Sequence, residues 1–190
     1  MNHPGEIATL ATMAAPEVAL INNAQREHQE FMSTVRAVAE ENGAVISSLP
    51  EQGVAVFPAD DEHTPVWRKL AGTRRCITFG AGGELNLLQS KPNAMGWLVT
   101  LEGSACGQPI SFELHMLGEH NLRNAQAAAA CALAAGISND AIAQGLTDFR
   151  PVSGRTQAIQ IQCQGKPLTL INDTYNANPD SGLAAIDALA

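Results

Sequence analysis

No stretch of this chain concentrates positive charge: Lys and Arg number 11 against 19 Asp and Glu, a formal net charge of −8. Binding along a phosphate backbone depends on clustered cations, so nucleic acid is not expected as a partner. Aromatic side chains are scarce too, 4% of 190 residues, which removes the stacking platform that single-stranded nucleic acid requires. The four cysteines, Cys76, Cys106, Cys131 and Cys163, lie far apart. Without a paired short spacing they read as reduced, structural thiols rather than as a zinc site or a redox pair. The longest small-apolar run, Ala125 to Gly136, is too short and too rich in alanine to span a bilayer. The first residues include Glu6 and lack a basic stretch followed by an apolar core, so no secretory signal is visible and a cytoplasmic protein without membrane insertion is expected. A Gly-x-x-Gly-Lys-Thr/Ser phosphate loop is also missing. Gly80, Gly82 and Gly83 imitate one, but no Lys-Ser/Thr ending and no helix follow them, and they read as a turn.

What the chain does have is a rhythm of apolar runs and helical repeats, with 45% hydrophobic residues. Val18 to Ile21 reads as a strand ending at Asn22-Asn23. Phe31, Val35 and Val38 then recur at helical spacing until Gly43, taken as the helix end. Val54 to Phe57 is a second strand, Glu62 to Leu70 a helix with Asp60 or Asp61 as cap, and Arg75 to Phe79 a third strand. Alternation of this kind predicts a parallel sheet. Between Gly80 and Leu117 the runs Leu85 to Leu88, Trp97 to Leu101 and Ile110 to Leu114 predict a small antiparallel patch. A helix from His120 to Gly136 follows, then one capped by Ser138 whose Ile142, Leu146 and Phe149 share a face. Pro151, Ser153 and Gly154 break the chain. Beyond them Ile159, Ile161 and Cys163 alternate with glutamines, and Leu168 to Ile171 reads as a buried strand before a helix over Gly182 to Ala190. The expected fold class is α/β, with a domain boundary near residue 153. The second region is too small to be a whole domain, and both ends of the chain look like cuts through a larger protein.

Several residues are candidates for chemistry. Asn172 to Pro179 packs polar and turn-forming residues between a strand and a helix, where α/β proteins place ligand contacts. Asn121 and Asn124 stand three apart at a helix start, so both amides can face one way, and carboxamides can read the donor and acceptor edge of adenine. The alternative is a helix N-cap, either His120 preceded by polar turn residues or Asn121 itself. His28 is either a packing histidine, in register with Phe31, Val35 and Val38, or a group that orients hydrated Mg²⁺ or takes a proton. Arg155 beside the break is either an exposed arginine or a phosphate clamp. Asp173 is either a turn residue or a partner for ribose hydroxyls. The Asp60, Asp61 and Glu62 cluster reads as helix-start chemistry rather than as a metal site.

Taken in order, Asn2-His3-Pro4-Gly5-Glu6-Ile7, Asn22-Asn23 with His28, His120-Asn121-Leu122-Arg123-Asn124-Ala125, and Gly154-Arg155 followed by Asp173-Thr174-Tyr175-Asn176-Ala177-Asn178-Pro179 resemble the Mur ligases. The last stretch is similar to the wording of the branch that adds D-alanyl-D-alanine. The resemblance implies a central ATPase domain over residues 1–153, lacking its phosphate-loop strand, and the start of a Rossmann-like C-terminal domain over 154–190. It implies ATP and Mg²⁺ as cofactors, with UDP-N-acetylmuramoyl-tripeptide and D-alanyl-D-alanine as substrates. A peptide bond would form through an acyl phosphate, in an enzyme that is monomeric at full length. By position, Asn121 and Asn124 would face adenine, Asp173 the ribose, Arg155 the phosphates and His28 the Mg²⁺ site. Tyr175 and Asn176 would line the domain junction, and Asn2 and His3 would lie near the muramoyl-peptide. Where many relatives carry a carbamate-modified lysine, the corresponding position here is read as Glu40. Without a phosphate loop the isolated chain is expected to be inactive; another Mur-type ligase and a non-catalytic nucleotide-binding module are the alternatives.

Overall fold

The structure is a computed structural model, and it describes residues 3–25, 32, 34–93, 95–152, 154–155, 157–175, 182–183 and 186. His28, Asn2, Asn176 and most of the helix expected over Gly182 to Ala190 fall outside these residues.

Helix α1 (Glu6–Ala14) leads into strand β1 (Val18–Leu20), and α2 (Val35–Ser47), β2 (Val54–Pro58), α3 (Thr64–Ala71) and β3 (Arg75–Phe79) complete a strand-helix alternation. The three strands pair in parallel in the order β1-β2-β3, with Val18 opposite Val54 and Val54 opposite Arg75. Every residue of β2 is buried, as expected for the central strand of a sheet covered on both faces. Its side chains alternate between two cores. Ala55 and Phe57 join Ala19, Ala39, Ile46 and Trp67 beneath α2 and α3, whereas Val54 and Val56 join Ile77, Phe79 and the alanines of the helix on the opposite face. That helix is α4 (Glu119–Ala134), which packs on all three strands. Its buried Ala125, Ala127, Ala129 and Ala130 let it lie close to the sheet, which explains how a chain poor in aromatics still fills its core.

Trp67 anchors the first core: it is fully buried, its Nε1 donates to Ala39 O at 2.9 Å, and its ring lies 6.3 Å from that of Phe57. Gly43 is not the end of α2 but lies inside it. A Cβ there would sit 2.3 Å from Leu70 Cδ1 and 3.4 Å from Trp67 Cδ1, so the missing side chain is what lets α3 pack against α2. Thr34 caps α2, accepting from Ala37 N at 3.1 Å. Asp61 caps the turn before α3 by accepting from His63 N at 2.8 Å, whereas Asp60 is turned elsewhere.

The antiparallel patch is present as β4 (Asn86–Asn93), β5 (Gly96–Glu102) and β6 (Ile110–Leu114), in that order. Strand β4 runs well past the expected Leu88, through Pro92. As an outer strand it tolerates a residue with no N–H to give. Helix α5 (Asn139–Asp148) packs on β6 and buries Ile142, but Phe149 follows the last helical residue, is 48% exposed and leaves the expected apolar face. After Gly154, β7 (Gln157–Cys163) and β8 (Lys166–Asn172) form a two-stranded antiparallel hairpin. Strand β8 is not buried: Leu168 is 49% and Leu170 46% exposed. The four cysteines are unpaired, and burial pushes the thiols of Cys76, Cys106 and Cys131 up, away from reactive thiolates. Among the described residues no helix is long and apolar enough to cross a membrane.

Candidate nucleotide site

Ligands of open parallel sheets bind beyond the carboxyl ends of the strands. In this chain those three ends are tied together by α4. After β1, Asn22 Nδ2 donates to Asn124 Oδ1 at 2.9 Å. After β2, Asp60 takes a two-pronged bond from Arg123, at 2.6 Å to Nη2 and 3.2 Å to Nη1. After β3, the turn at Gly80 presents Ala81 N to the same Asp60 carboxylate at 3.1 Å. Adjacent residues of one helix thus pin its first turns to two strand ends, and Asp60 joins the third. Burial alone would raise the Asp60 carboxyl; the bond and charge of Arg123 and the Ala81 N–H outweigh it and hold the group below the usual carboxylate range.

Asn121 and Asn124 do not stand side by side as equal readers. Asn121 is 3% exposed. Its Nδ2 donates to Leu117 O at 2.7 Å and to His120 Nε2 at 3.1 Å, and its Oδ1 accepts from Asn124 Nδ2 at 3.0 Å. Both amide hydrogens are therefore engaged inside the fold. Asn124 is exposed. With one hydrogen given to Asn121 and one lone pair taken by Asn22, it keeps one donor and one acceptor on its outer edge. A donor and an acceptor are the two functions that pair with N7 and the N6 amine of adenine where an amide presents them together. Asn22 Oδ1 is buried and without a partner among the described residues.

The second side of the site is assembled from the segment beyond β8. The charge of Asp173 bears on the His120 ring, pulling its pKa up, while burial, the larger effect, pushes it below the ordinary imidazole range. Tyr175 N donates to Gly154 O at 3.0 Å, and the Arg155 guanidinium lies over the Tyr175 ring, 4.2 Å from its centroid. Gly154 is buried at φ 81°, and a Cβ would meet Tyr175 N at 3.2 Å, so glycine is needed for the junction to close. Arg155 and Tyr175 are exposed; stacking leaves the rim of the guanidinium open to an anion.

The residues expected near the muramoyl-peptide are less gathered. His3 lies in the turn before α1, where its O accepts from Glu6 N at 3.4 Å. Glu41 of α2 grips that turn, accepting from Gly5 N at 2.9 Å and Ile7 N at 3.0 Å, a long-range contact that no local pattern signals. Glu40 pairs with Arg36 on an exposed face at 2.9 Å. Asn42, not Glu40, lines the groove of about 600 Å³ between α1 and α2 that Ile7, Leu10, Ile21 and Asn22 also border. No group of three or more His, Cys, Asp or Glu side chains among the described residues can hold a metal ion.

The fold agrees with that of known proteins. The family described as Mur ligase middle domain matches residues 1–132, and the chain belongs to the Mur ligase family. Within it, the chain is 34% identical, over its whole length and 41% of the relative's, to the UDP-N-acetylmuramoyl-tripeptide--D-alanyl-D-alanine ligase of Escherichia coli strain K12. The solved structure of MurF from Acinetobacter baumannii superposes with a TM-score of 0.92 at 32% identity, covering 100% of this chain and 40% of that one. MurF ligase from Thermotoga maritima in complex with ADP gives 0.82 at 26% identity, covering 99% and 42%. The chain thus spans about two fifths of the length of the relatives it matches.

Proposed function

We propose that this chain is the adenine-reading part of an ATP-dependent ligase that joins D-alanyl-D-alanine to UDP-N-acetylmuramoyl-tripeptide. Residues 1–153 then belong to its central ATP-binding domain and 154–190 open the closing domain. The observation that carries the reading is the amide series Asn22, Asn124, Asn121, which holds one free donor and one free acceptor on Asn124 at the carboxyl end of a parallel sheet. Similarity to D-alanyl-D-alanine ligases over the full length of the chain, one of them solved with ADP, supports the same reading.

In this proposal Asn124 reads adenine, Asp173 receives the ribose from across the junction, and Arg155 turns its free rim to the phosphates. ATP supplies the phosphoryl group that activates the tripeptide carboxylate as an acyl phosphate, which the amine of D-alanyl-D-alanine then attacks. The residues at hand contribute positioning and charge neutralisation, the main means of catalysis in phosphoryl transfer. Mg²⁺ is a family expectation for which the described residues gather no ligand set, so no step is assigned through it; His28 lies outside them. The 190 residues contain no Gly-x-x-Gly-Lys-Thr/Ser loop, and the β- and γ-phosphates therefore need a cradle that this stretch does not provide.

A second reading is a nucleotide-binding module without catalysis. The coding sequence immediately upstream of Met1 separates the two. A glycine-rich loop ending in Lys-Thr or Lys-Ser encoded there supports the ligase, and its absence rules the ligase out in favour of the module. The 190-residue chain alone is expected to release no phosphate from ATP in the presence of both substrates; measurable turnover contradicts the proposed division of labour.

A further inference from the structure

His120 stands between the two sides of the site and has so far been given no task. Its Nε2 meets Asn121 Nδ2 at 3.1 Å, and the same nitrogen of Asn121 also donates to Leu117 O at 2.7 Å. A carbonyl oxygen can only accept, so Nδ2 is fixed as the amide nitrogen, and a flipped Asn121 would set its oxygen against Leu117 O. The second hydrogen of Nδ2 then points at His120 Nε2, which must be an unprotonated acceptor. A neutral imidazole with its hydrogen on Nδ1 is the one form that meets this requirement.

The consequence passes outward. With both of its hydrogens engaged, Asn121 has only its oxygen to offer Asn124, and Asn124 therefore points its own nitrogen inward at 3.0 Å. Asn22 donates to one lone pair of the Asn124 oxygen at 2.9 Å and leaves the other free. The orientation of the exposed amide thus follows from Leu117 O and the imidazole, which together engage both hydrogens of Asn121.

We propose that His120 is the positioning residue of the adenine site. As the Nδ1–H tautomer it joins Leu117 O in holding the Asn121 amide in the orientation that leaves Asn124 one free donor and one free acceptor for a purine carrying an exocyclic amine. This rests on the adenine reading above. Asp173, beyond β8, is the charged group whose field reaches the ring from outside α4, and Glu119 and Arg123 are the charged groups nearest it along that helix. Through His120 the residue assigned to ribose and the residues assigned to adenine share one side chain.

Two measurements on the full chain test this. Ring nitrogen-proton correlation spectra without nucleotide are expected to show His120 neutral at pH 7 with its hydrogen on Nδ1; a hydrogen on Nε2 overturns the proposal, because Asn121 would then face a donor. ADP affinity is then compared in His120→Gln, whose side-chain oxygen reaches the place of Nε2, and His120→Asn, whose oxygen stops at the place of Nδ1. Affinity is expected to stay within about threefold of wild type in the Gln variant and to fall about tenfold or more in the Asn variant. Equal loss in both, or loss in neither, overturns the positioning role while ADP binding by the wild type leaves the adenine reading standing. No ADP binding by the wild type instead overturns the adenine reading and this proposal with it, whatever tautomer the spectra show.

Discussion

The two sides of the candidate site differ in how firmly the fold holds them. On the α4 side, Asn121 is buried and bonded to three groups, Arg123 grips Asp60 with two prongs, and alanines of α4 lie against the sheet. On the side of the β7–β8 hairpin, Leu168, Leu170 and Tyr175 are each roughly half exposed or more, and Arg155 rests on an exposed ring. A reader of base identity gains from being rigid before the ligand arrives, since preorganisation lowers the cost of binding. A clamp has to open, and elements that move come from the less firmly packed part of a structure. The contrast is one of packing within these 190 residues, about two fifths of the length of the relatives the chain matches.

Substitutions can break this contrast or sharpen it. The largest loss is expected from Trp67→Ala, which empties the centre of the core beneath α2 and α3 and removes the bond to Ala39 O: about 3–5 kcal/mol of stability, read from the denaturant midpoint. Asn121→Ala comes next. It leaves Leu117 O and His120 without their partner inside the protein, costs about 2 kcal/mol, and is expected to disturb Asn124 at the same time. Asp60→Asn is smaller, about 1 kcal/mol, because both members of the pair are part exposed and water screens them. Its signature is pH dependence. The Asp60 pKa is lower in the fold than in the unfolded chain, so the contribution is fully present above the unfolded value and is lost as pH falls through the folded one. Acid unfolding of the wild type below about pH 4 should therefore include a component that Asp60→Asn lacks. Leu168→Ser on the hairpin should change stability by less than about 0.5 kcal/mol. A large loss there would mean that the hairpin is packed as tightly as the body, and the contrast would fail.

Local periodicity made much of the fold legible. Arg75 to Phe79 was readable residue for residue, and the parallel and antiparallel regions followed from where runs and breaks fall. The errors share a physical cause, contacts made far along the chain. Gly43 looks like a helix end in sequence and is a packing notch for Leu70 and Trp67. Asp60 looks like a cap and is held by Arg123, 63 residues away. Leu168 to Ile171 has the composition of a buried strand, and among the described residues it pairs with β7 alone. Asn121, Asn124, Arg155 and Asp173 are legible as candidates in the sequence, and their roles belong to the proposed function. That Asn121 lies behind Asn124 rather than beside it depends on Leu117 O, His120 and Asn22, and a three-residue spacing does not distinguish the two arrangements. Glu41, which holds the turn before α1 from 34 and 36 residues away, had no local signature at all.

In the proposed site the exposed amide of Asn124, oriented from within, reads the amine edge of adenine. Equilibrium binding of ADP and inosine diphosphate to the wild type and to Asn124→Ala tests it most directly, because inosine carries an oxygen where adenine carries the amine. The wild type should prefer ADP by about tenfold or more, the worth of one good two-point contact, and the preference should fall towards unity in Asn124→Ala. Equal affinity of the wild type for the two nucleotides, or a preference for ADP that survives the loss of Asn124, would contradict it.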